Sequence, residues 1–120
     1  DETEGMEIDV VGVKGSRILA LDAKMWDDRS GKASALATAA EKQCIRTRRL
    51  GNELERLEQK IGTIPPGEYS LMPALVTWLV EDLQFHEGVP IVPIFKLNTF
   101  LLELDSFAES MVSYRIRVVS

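Results

Sequence analysis

The sequence predicts an α/β protein in which helices cover a small mixed sheet, and three observations carry that expectation. Two short β-branched segments meet at a glycine turn near the start, a proline-free stretch rich in Ala, Leu, Glu and Arg follows, and further apolar segments come after it. A length of 120 residues suits one domain spanning 1–120, and 45% hydrophobic with 28% charged residues is the make-up of a globular chain. Collagen-like, mucin-like and wholly disordered readings fall away on composition.

Residues 6–13, MEIDVVGV, are dominated by β-branched side chains, with Glu7 and Asp9 two apart as on one face of a strand. Lys14-Gly15 suits a two-residue turn, and residues 16–24, SRILALDAK, give a second strand whose middle is apolar on both faces, so the two form a hairpin. Residues 25–32, MWDDRSGK, have loop character after Trp26. Across 33–61 there is no proline, and Leu36, Ala40, Ile45, Leu50, Leu54, Leu57 and Ile61 recur near helical spacing. A long helix is expected there, dented or split at Gly51 and capped by Gly62. Thr63-Ile64-Pro65-Pro66-Gly67 cannot continue it. Residues 69–80, YSLMPALVTWLV, predict a third strand whose regular part begins after Pro73, since proline brings no ladder donor. Residues 81–88 form a polar connection and 89–95, VPIVPIF, a fourth strand. Asn98 caps a short helix through Met111, and 112–119 alternate weakly as a last edge strand.

The charge balance, 14 Lys plus Arg against 19 Asp plus Glu, gives a net of −5 and argues against bulk attraction to nucleic acid while leaving room for a local basic patch. No apolar run approaches the roughly 18 residues of a membrane span. The opening Asp1-Glu2-Thr3-Glu4-Gly5 is acidic where a signal peptide is basic, so neither membrane nor secretion is expected. Cys44 and His86 each stand alone, which excludes an internal disulfide and a Cys/His zinc cage and fits a reducing cytoplasm.

The chemistry concentrates on the hairpin. A Lys14-Gly15 turn sets Asp9 opposite Ala20 and Glu7 opposite Asp22, and makes Asp9 and Asp22 diagonal neighbours with Cβ atoms roughly 7 Å apart. Lys24, two residues beyond Asp22, shares that face, whereas Ile8, Val10, Leu19, Leu21 and Ala23 point toward the core. A carboxylate inside ILALDAK is costly to desolvate and needs a cation, hydrogen bonds or a metal. Glu7, Asp9 and Asp22 against Lys24 leave surplus negative charge that a divalent cation neutralises, and an all-oxygen donor set favours Mg²⁺ or Mn²⁺ over zinc. Such an ion polarises a phosphoryl oxygen and acidifies a bound water, while Lys24 orients that water or stabilises charge on the phosphate. That is the chemistry of phosphodiester hydrolysis; the bland reading of the same residues is a hairpin salt bridge. On the helix, Lys42, Arg46 and Arg49 lie at i, i+4 and i+7 with Arg48 close by. They form either a grip on phosphates or a solvated face paired with Glu41, Glu53 and Glu55. Trp26 either stacks on a base or packs on the helix, and His86 and Cys44 carry low expectations of function.

The segment EIDVVGVKGSRILALDAK resembles the hairpin of the PD-(D/E)XK nuclease superfamily, the restriction-endonuclease-like fold, in which an Asp on one strand precedes a (D/E)-x-K triplet on the next. Asp9 matches the first Asp and Asp22-Ala23-Lys24 the triplet, with Ile8 standing where the family has Pro. The order of elements is similar to nuclease-related-domain proteins, archaeal junction resolvases and Mrr-like restriction enzymes, whose Gln-bearing helix has a counterpart in Gln43. The resemblance implies a restriction-endonuclease-like mixed sheet flanked by helices and Mg²⁺- or Mn²⁺-dependent cleavage of DNA in preference to RNA. It implies Asp9, Asp22 and Lys24 as catalytic residues, Asp9, Asp22 and Glu7 as metal ligands, and Lys42, Gln43, Arg46 and Arg49 as nucleic-acid contacts. The family's opening helix, with its metal-holding Glu, has no counterpart in the five residues before the first strand. The fold is therefore expected to lack or shorten that helix: either it has been removed from the chain, or Glu2, Glu4 or Glu7 substitutes, or catalysis is impaired. The alternative is an inactive nuclease-fold module binding nucleic acid or a protein, and a homodimer is compatible with either.

Overall fold

The computed structural model describes residues 10–24, 32–61, 64–78 and 83–119. Strands β1 (Val10–Lys14) and β2 (Arg17–Lys24) form the antiparallel hairpin. Its loop is Gly15-Ser16 and not Lys14-Gly15. Lys14 pairs with Arg17, and Gly15 takes φ +61 at the first loop position, where a type II′ turn favours glycine. Val10 therefore faces Leu21, a register two residues from the expected one. A shift of two keeps every side chain on its expected face. The first part of the expected strand, with Glu7, Ile8 and Asp9, and the loop 25–31, with Trp26, lie outside the described residues.

Helix α1 (Lys32–Ile61) runs unbroken for 30 residues. It leads into β3 (Gly67–Thr77), the longest strand, which lies parallel to β2. The buried stripe of α1 is Leu36, Ala40, Gln43, Thr47 and Gly51, flanked by half-buried Leu50 and Leu54. Ile45 and Leu57, expected on this stripe, fall outside its phase and are exposed. Gly51 does not break the helix. A Cβ there would sit 3.1 Å from Ile116 Cγ2 and 3.2 Å from Leu71 Cδ2, so the missing side chain sets how closely α1 approaches the sheet.

Pro73 sits within β3, contrary to the expectation that the regular strand starts after it. Ser70 N–H donates to Ser16 O at 2.8 Å, so N–H groups of even-numbered residues point toward β2 and those of odd-numbered residues point away. The nitrogen of Pro73 thus points to the far side, where β3 changes partner. Gly67–Leu71 pair there with β6 and Leu75–Thr77 with β5, and the ladder has a gap between them. A residue without a donor forfeits no bond at that gap.

The expected polar connection at 81–88 contains a strand, β4 (Gln84–His86), hairpinned to β5 (Val89–Pro93). Glu87 and Gly88 take φ of 48 and 85, the two positive values of a type I′ turn. The expected helix from Asn98 to Met111 is broken: α2 (Leu97–Leu102) and α3 (Leu104–Phe107) meet at Glu103, with 3₁₀ turns at Ile94–Lys96 and Ala108–Ser110. Asn98 lies inside α2, whose cap position is Lys96. The tail forms β6 (Tyr114–Val118), antiparallel to β3.

Among the described residues the result is a six-stranded mixed sheet of order β1-β2-β3-β5-β4, with β6 on β3. Strands β2, β3 and β5 are parallel. α1 covers one face, packing Leu50 and Leu54 on Ile18, Ala20, Leu71 and Ile116, and Leu36, Ala39 and Ala40 on Leu75, Val89 and Ile91. The other face buries Leu19, Leu21, Met72, Val76 and Val92 under Phe100 and Leu104 of α2 and α3. Burying each large aliphatic side chain contributes about 1.5–3 kcal/mol. Lys14 Nζ donates to Leu101 O at 3.3 Å and Arg17 pairs with Asp105, tying the hairpin to this second layer. No helix among the described residues is long and apolar enough to cross a membrane.

Candidate functional site

The three parallel strands end together. Lys24 of β2 pairs with Thr77 of β3, which pairs with Pro93 of β5. Asp22 stands two residues before the end of β2, opposite Leu75. In open α/β sheets the carboxyl ends of parallel strands are the customary place for a ligand.

Asp22 is only 1% exposed, and the structure shows what compensates it. Arg46, 5% exposed on α1, brings Nη1 to 3.4 Å from Asp22 Oδ2. One turn earlier, Gln43 is fully buried and donates from Nε2 to Ala20 O at 3.0 Å, tying helix to strand two residues from Asp22. Gln43 Oε1 and Thr47 Oγ1 are buried without a hydrogen-bond partner among the described residues. A polar seam of Asp22, Gln43, Arg46 and Thr47 therefore lies between α1 and the end of β2, within otherwise apolar packing.

The Arg46 contact is longer than the roughly 2.7–2.9 Å of a strong charge-assisted bond. The guanidinium thus balances Asp22 chiefly through charge, at a distance beyond a short hydrogen bond. A carboxylate is a hard-oxygen donor, the chemistry that suits Mg²⁺ or Mn²⁺. Asp9 and Glu7, the other expected ligands, lie outside the described residues, as does the side chain of Lys24.

The expected basic face of α1 divides by burial. Lys42 and Arg49 are exposed, whereas Gln43 and Arg46 turn toward the sheet, so the four do not form one open surface. The reason is helical phase: Gln43 continues the Leu36–Ala40 stripe, and Arg46 stands at its border with a stem long enough to reach Asp22. Arg48 lies over the Tyr114 ring, 5.7 Å from its centroid. Burial and a hydrogen bond with Cys44 push the Tyr114 hydroxyl up to about 12. The acids expected to pair with the helix cations face elsewhere. Glu53 binds Arg56 at 2.6 Å, and Glu55 accepts from Arg117 N at 2.8 Å. On the exposed side of β3 and β6, Arg117 and Arg115 hold the Glu68 carboxyl below its usual range.

Sequence reasoning missed two groupings. One is Arg46 as the partner of Asp22, which the phase of the stripe through Gln43 and Thr47 would have signalled. The other joins Glu41 to the β4–β5 turn: His86 Nε2 lies 3.4 Å from Glu41 Oε2 and 3.7 Å from Glu87 Oε2, and one ligand atom from each residue falls within 4.8 Å of the others. This cluster has the makings of a cation site, and ion pairing accounts for its geometry equally well.

Comparison with known proteins gives one relative. An uncharacterized protein of Archaeoglobus fulgidus is 34% identical over 107 residues, covering 89% of this chain and 73% of that protein. No family model matches the sequence, and no solved structure matches it.

Proposed function

The chain belongs to the same family as this uncharacterized Archaeoglobus fulgidus protein, and for it we propose a divalent-metal-dependent endonuclease activity that hydrolyses phosphodiester bonds in DNA. The observation that carries the reading is the placement of Asp22. A carboxylate is held buried near the carboxyl end of a hairpin strand, at the shared end of three parallel strands, two residues before Lys24. That placement agrees with the resemblance of the hairpin to PD-(D/E)XK nucleases.

In this reading Asp22 and Asp9 would hold the cation with Glu7 assisting, and Lys24 would orient a water or stabilise charge on the phosphate. The reading requires the β1–β2 ladder to run one pair further, which brings position 9 opposite Asp22. When bound, the cation supplies polarisation of the phosphoryl oxygen and a more acidic water. Arg46 and Gln43 act as positioning residues, the first holding the Asp22 carboxylate by charge and the second fixing α1 to β2. Of the four expected nucleic-acid contacts, Lys42 and Arg49 are the exposed ones, and in this reading they meet phosphate.

The test is metal-dependent nicking of supercoiled plasmid by the parent and by Asp22→Asn, which keeps the size and hydrogen-bond acceptor of the side chain. The parent is expected to nick with Mg²⁺ or Mn²⁺, and Asp22→Asn to lose about 100-fold or more, the scale of removing one electrostatic stabiliser from an active site. Equal nicking by both rejects the assignment.

A second reading is supported by Arg46, which already supplies Asp22 with a counter-charge. The chain is then an inactive nuclease-fold module that binds nucleic acid or a protein. Plasmid left intact at millimolar Mn²⁺, with retained nucleic-acid binding, favours it.

A further inference from the structure

Beyond the last row of the sheet, Lys24, Thr77 and Pro93, the surface changes character. The next residues outward are Trp78, just after β3, and Ile94, Phe95 and Lys96 of the 3₁₀ turn that follows β5. Trp78 is 51% exposed and Phe95 58%. Two large aromatics so exposed at the shared end of adjacent strands are unusual, since such side chains are normally buried and exposed apolar patches mark binding surfaces. Lys96 Nζ lies 5.8 Å from the Phe95 ring centroid, which sets a cation beside an exposed π face. Lys96 also lines a cavity of about 330 Å³ with Leu83, Val92, Thr99, Phe100 and Phe107.

We propose that this rim binds unpaired nucleic acid, with bases stacking on Trp78 and Phe95. The inference rests on the endonuclease reading only for its direction: it names single-stranded or frayed nucleic acid, rather than continuous duplex, as the substrate class presented to Asp22. Two properties select this occupant. Every base offers a π face, so aromatic side chains bind a strand without a sequence code, and each stacked base contributes about 1–3 kcal/mol. A chain of net charge −5 has little of the broad cationic surface that duplex binding draws on, so stacking on exposed aromatics is the grip its composition allows. The rim lies beyond the same carboxyl ends of the strands near which Asp22 stands, two residues before the end of β2.

Fluorescence and anisotropy titrations test this on the full chain. The chain has two tryptophans, so Trp26→Phe leaves Trp78 as the sole indole reporter. Short oligothymidylate is added in EDTA, so that no cleavage is involved. The expected result is saturable quenching, and binding of labelled strand about tenfold weaker in Trp78→Ala, the scale of losing one stacked base. Trp78→Phe should retain most of the affinity, and a duplex of the same length should bind more weakly and respond little to Trp78→Ala. Absence of quenching, equal binding by the parent and Trp78→Ala, or equal affinity for single strand and duplex overturns the proposal. A dimer that Trp78→Ala converts to monomer in sedimentation also overturns it, by assigning the rim to a second copy of the chain. The two readings fail separately. A parent that nicks plasmid yet does not bind oligothymidylate defeats the rim alone, whereas unchanged nicking by Asp22→Asn defeats the nuclease assignment and leaves this titration standing.

Discussion

Removing Asp22 should do more to the fold than removing a surface acid, and the structure gives the size of the effect. At 3.4 Å, in an effective dielectric of about 20, two unit charges attract by about 5 kcal/mol. Taking both groups out of water offsets most of that, so the intact pair adds little net stability. Breaking it is different, because Asp22→Ala leaves the Arg46 guanidinium, 5% exposed, with its carboxylate gone. Removing one partner of a buried pair costs about 3–5 kcal/mol, and the long contact here places the expectation near the lower figure. For a chain of this length about 3 kcal/mol lowers Tm by roughly 12 °C. Urea denaturation followed by circular dichroism, with a parallel thermal melt, measures it. Arg46→Met alone should also destabilise, and Asp22→Ala combined with Arg46→Met should cost well below the sum of the two, since the double variant has no stranded charge. A cost below about 1 kcal/mol for Asp22→Ala, or additive single and double effects, would refute the compensation argument.

Three further outcomes follow from particular residues. Gly88→Ala should destabilise by about 1–3 kcal/mol in urea unfolding, because the residue holds φ +85 and an added Cβ would meet Val112 N at 2.8 Å, where Val112 N–H also donates to Gly88 O. The Tyr114 hydroxyl, raised to about 12, should ionise above the ordinary tyrosine value near 10 in an ultraviolet titration. Because its folded value is the higher one, the contribution is intact below the unfolded pKa and is lost as pH rises between the two, so Tyr114→Phe should flatten the alkaline fall in stability over that interval. Gln43→Met should change stability by less than about 1 kcal/mol, since losing the bond to Ala20 O is offset by removing the unpartnered Oε1. A loss above about 2 kcal/mol would mean that Oε1 is satisfied in solution by a group such as ordered water.

The order of elements was legible because each leaves a local mark: β-branched hairpin strands around a glycine, a proline-free helical run, and apolar segments punctuated by Pro and Gly. Turn detail was less so. Gly15 serves a II′ turn at the first loop position as readily as a I′ turn at the second, and only the register separates them. Pro73 was misread because a ladder gap between two partner strands is a tertiary fact with no trace at the proline itself. β4 was missed because it is three residues long and its turn uses Glu87-Gly88 in place of the usual Asn-Gly. At the site, Asp22 stood out as an acid inside an apolar strand. The partnership with Arg46 did not, because charge spacing on a helix shows which cations are neighbours but not which way the helix rolls onto the sheet. Trp78 went unremarked because exposure is not written in an apolar run.

The central claim is that the Asp22 carboxylate helps to hold a divalent cation. Calorimetric titration with Mn²⁺ at neutral pH, on the parent and on Asp22→Asn, tests it most directly. The account predicts saturable binding to the parent and binding at least about tenfold weaker in the variant, a difference of about 1.4 kcal/mol. Equal affinity in both, or no heat in the parent at millimolar Mn²⁺, would contradict it.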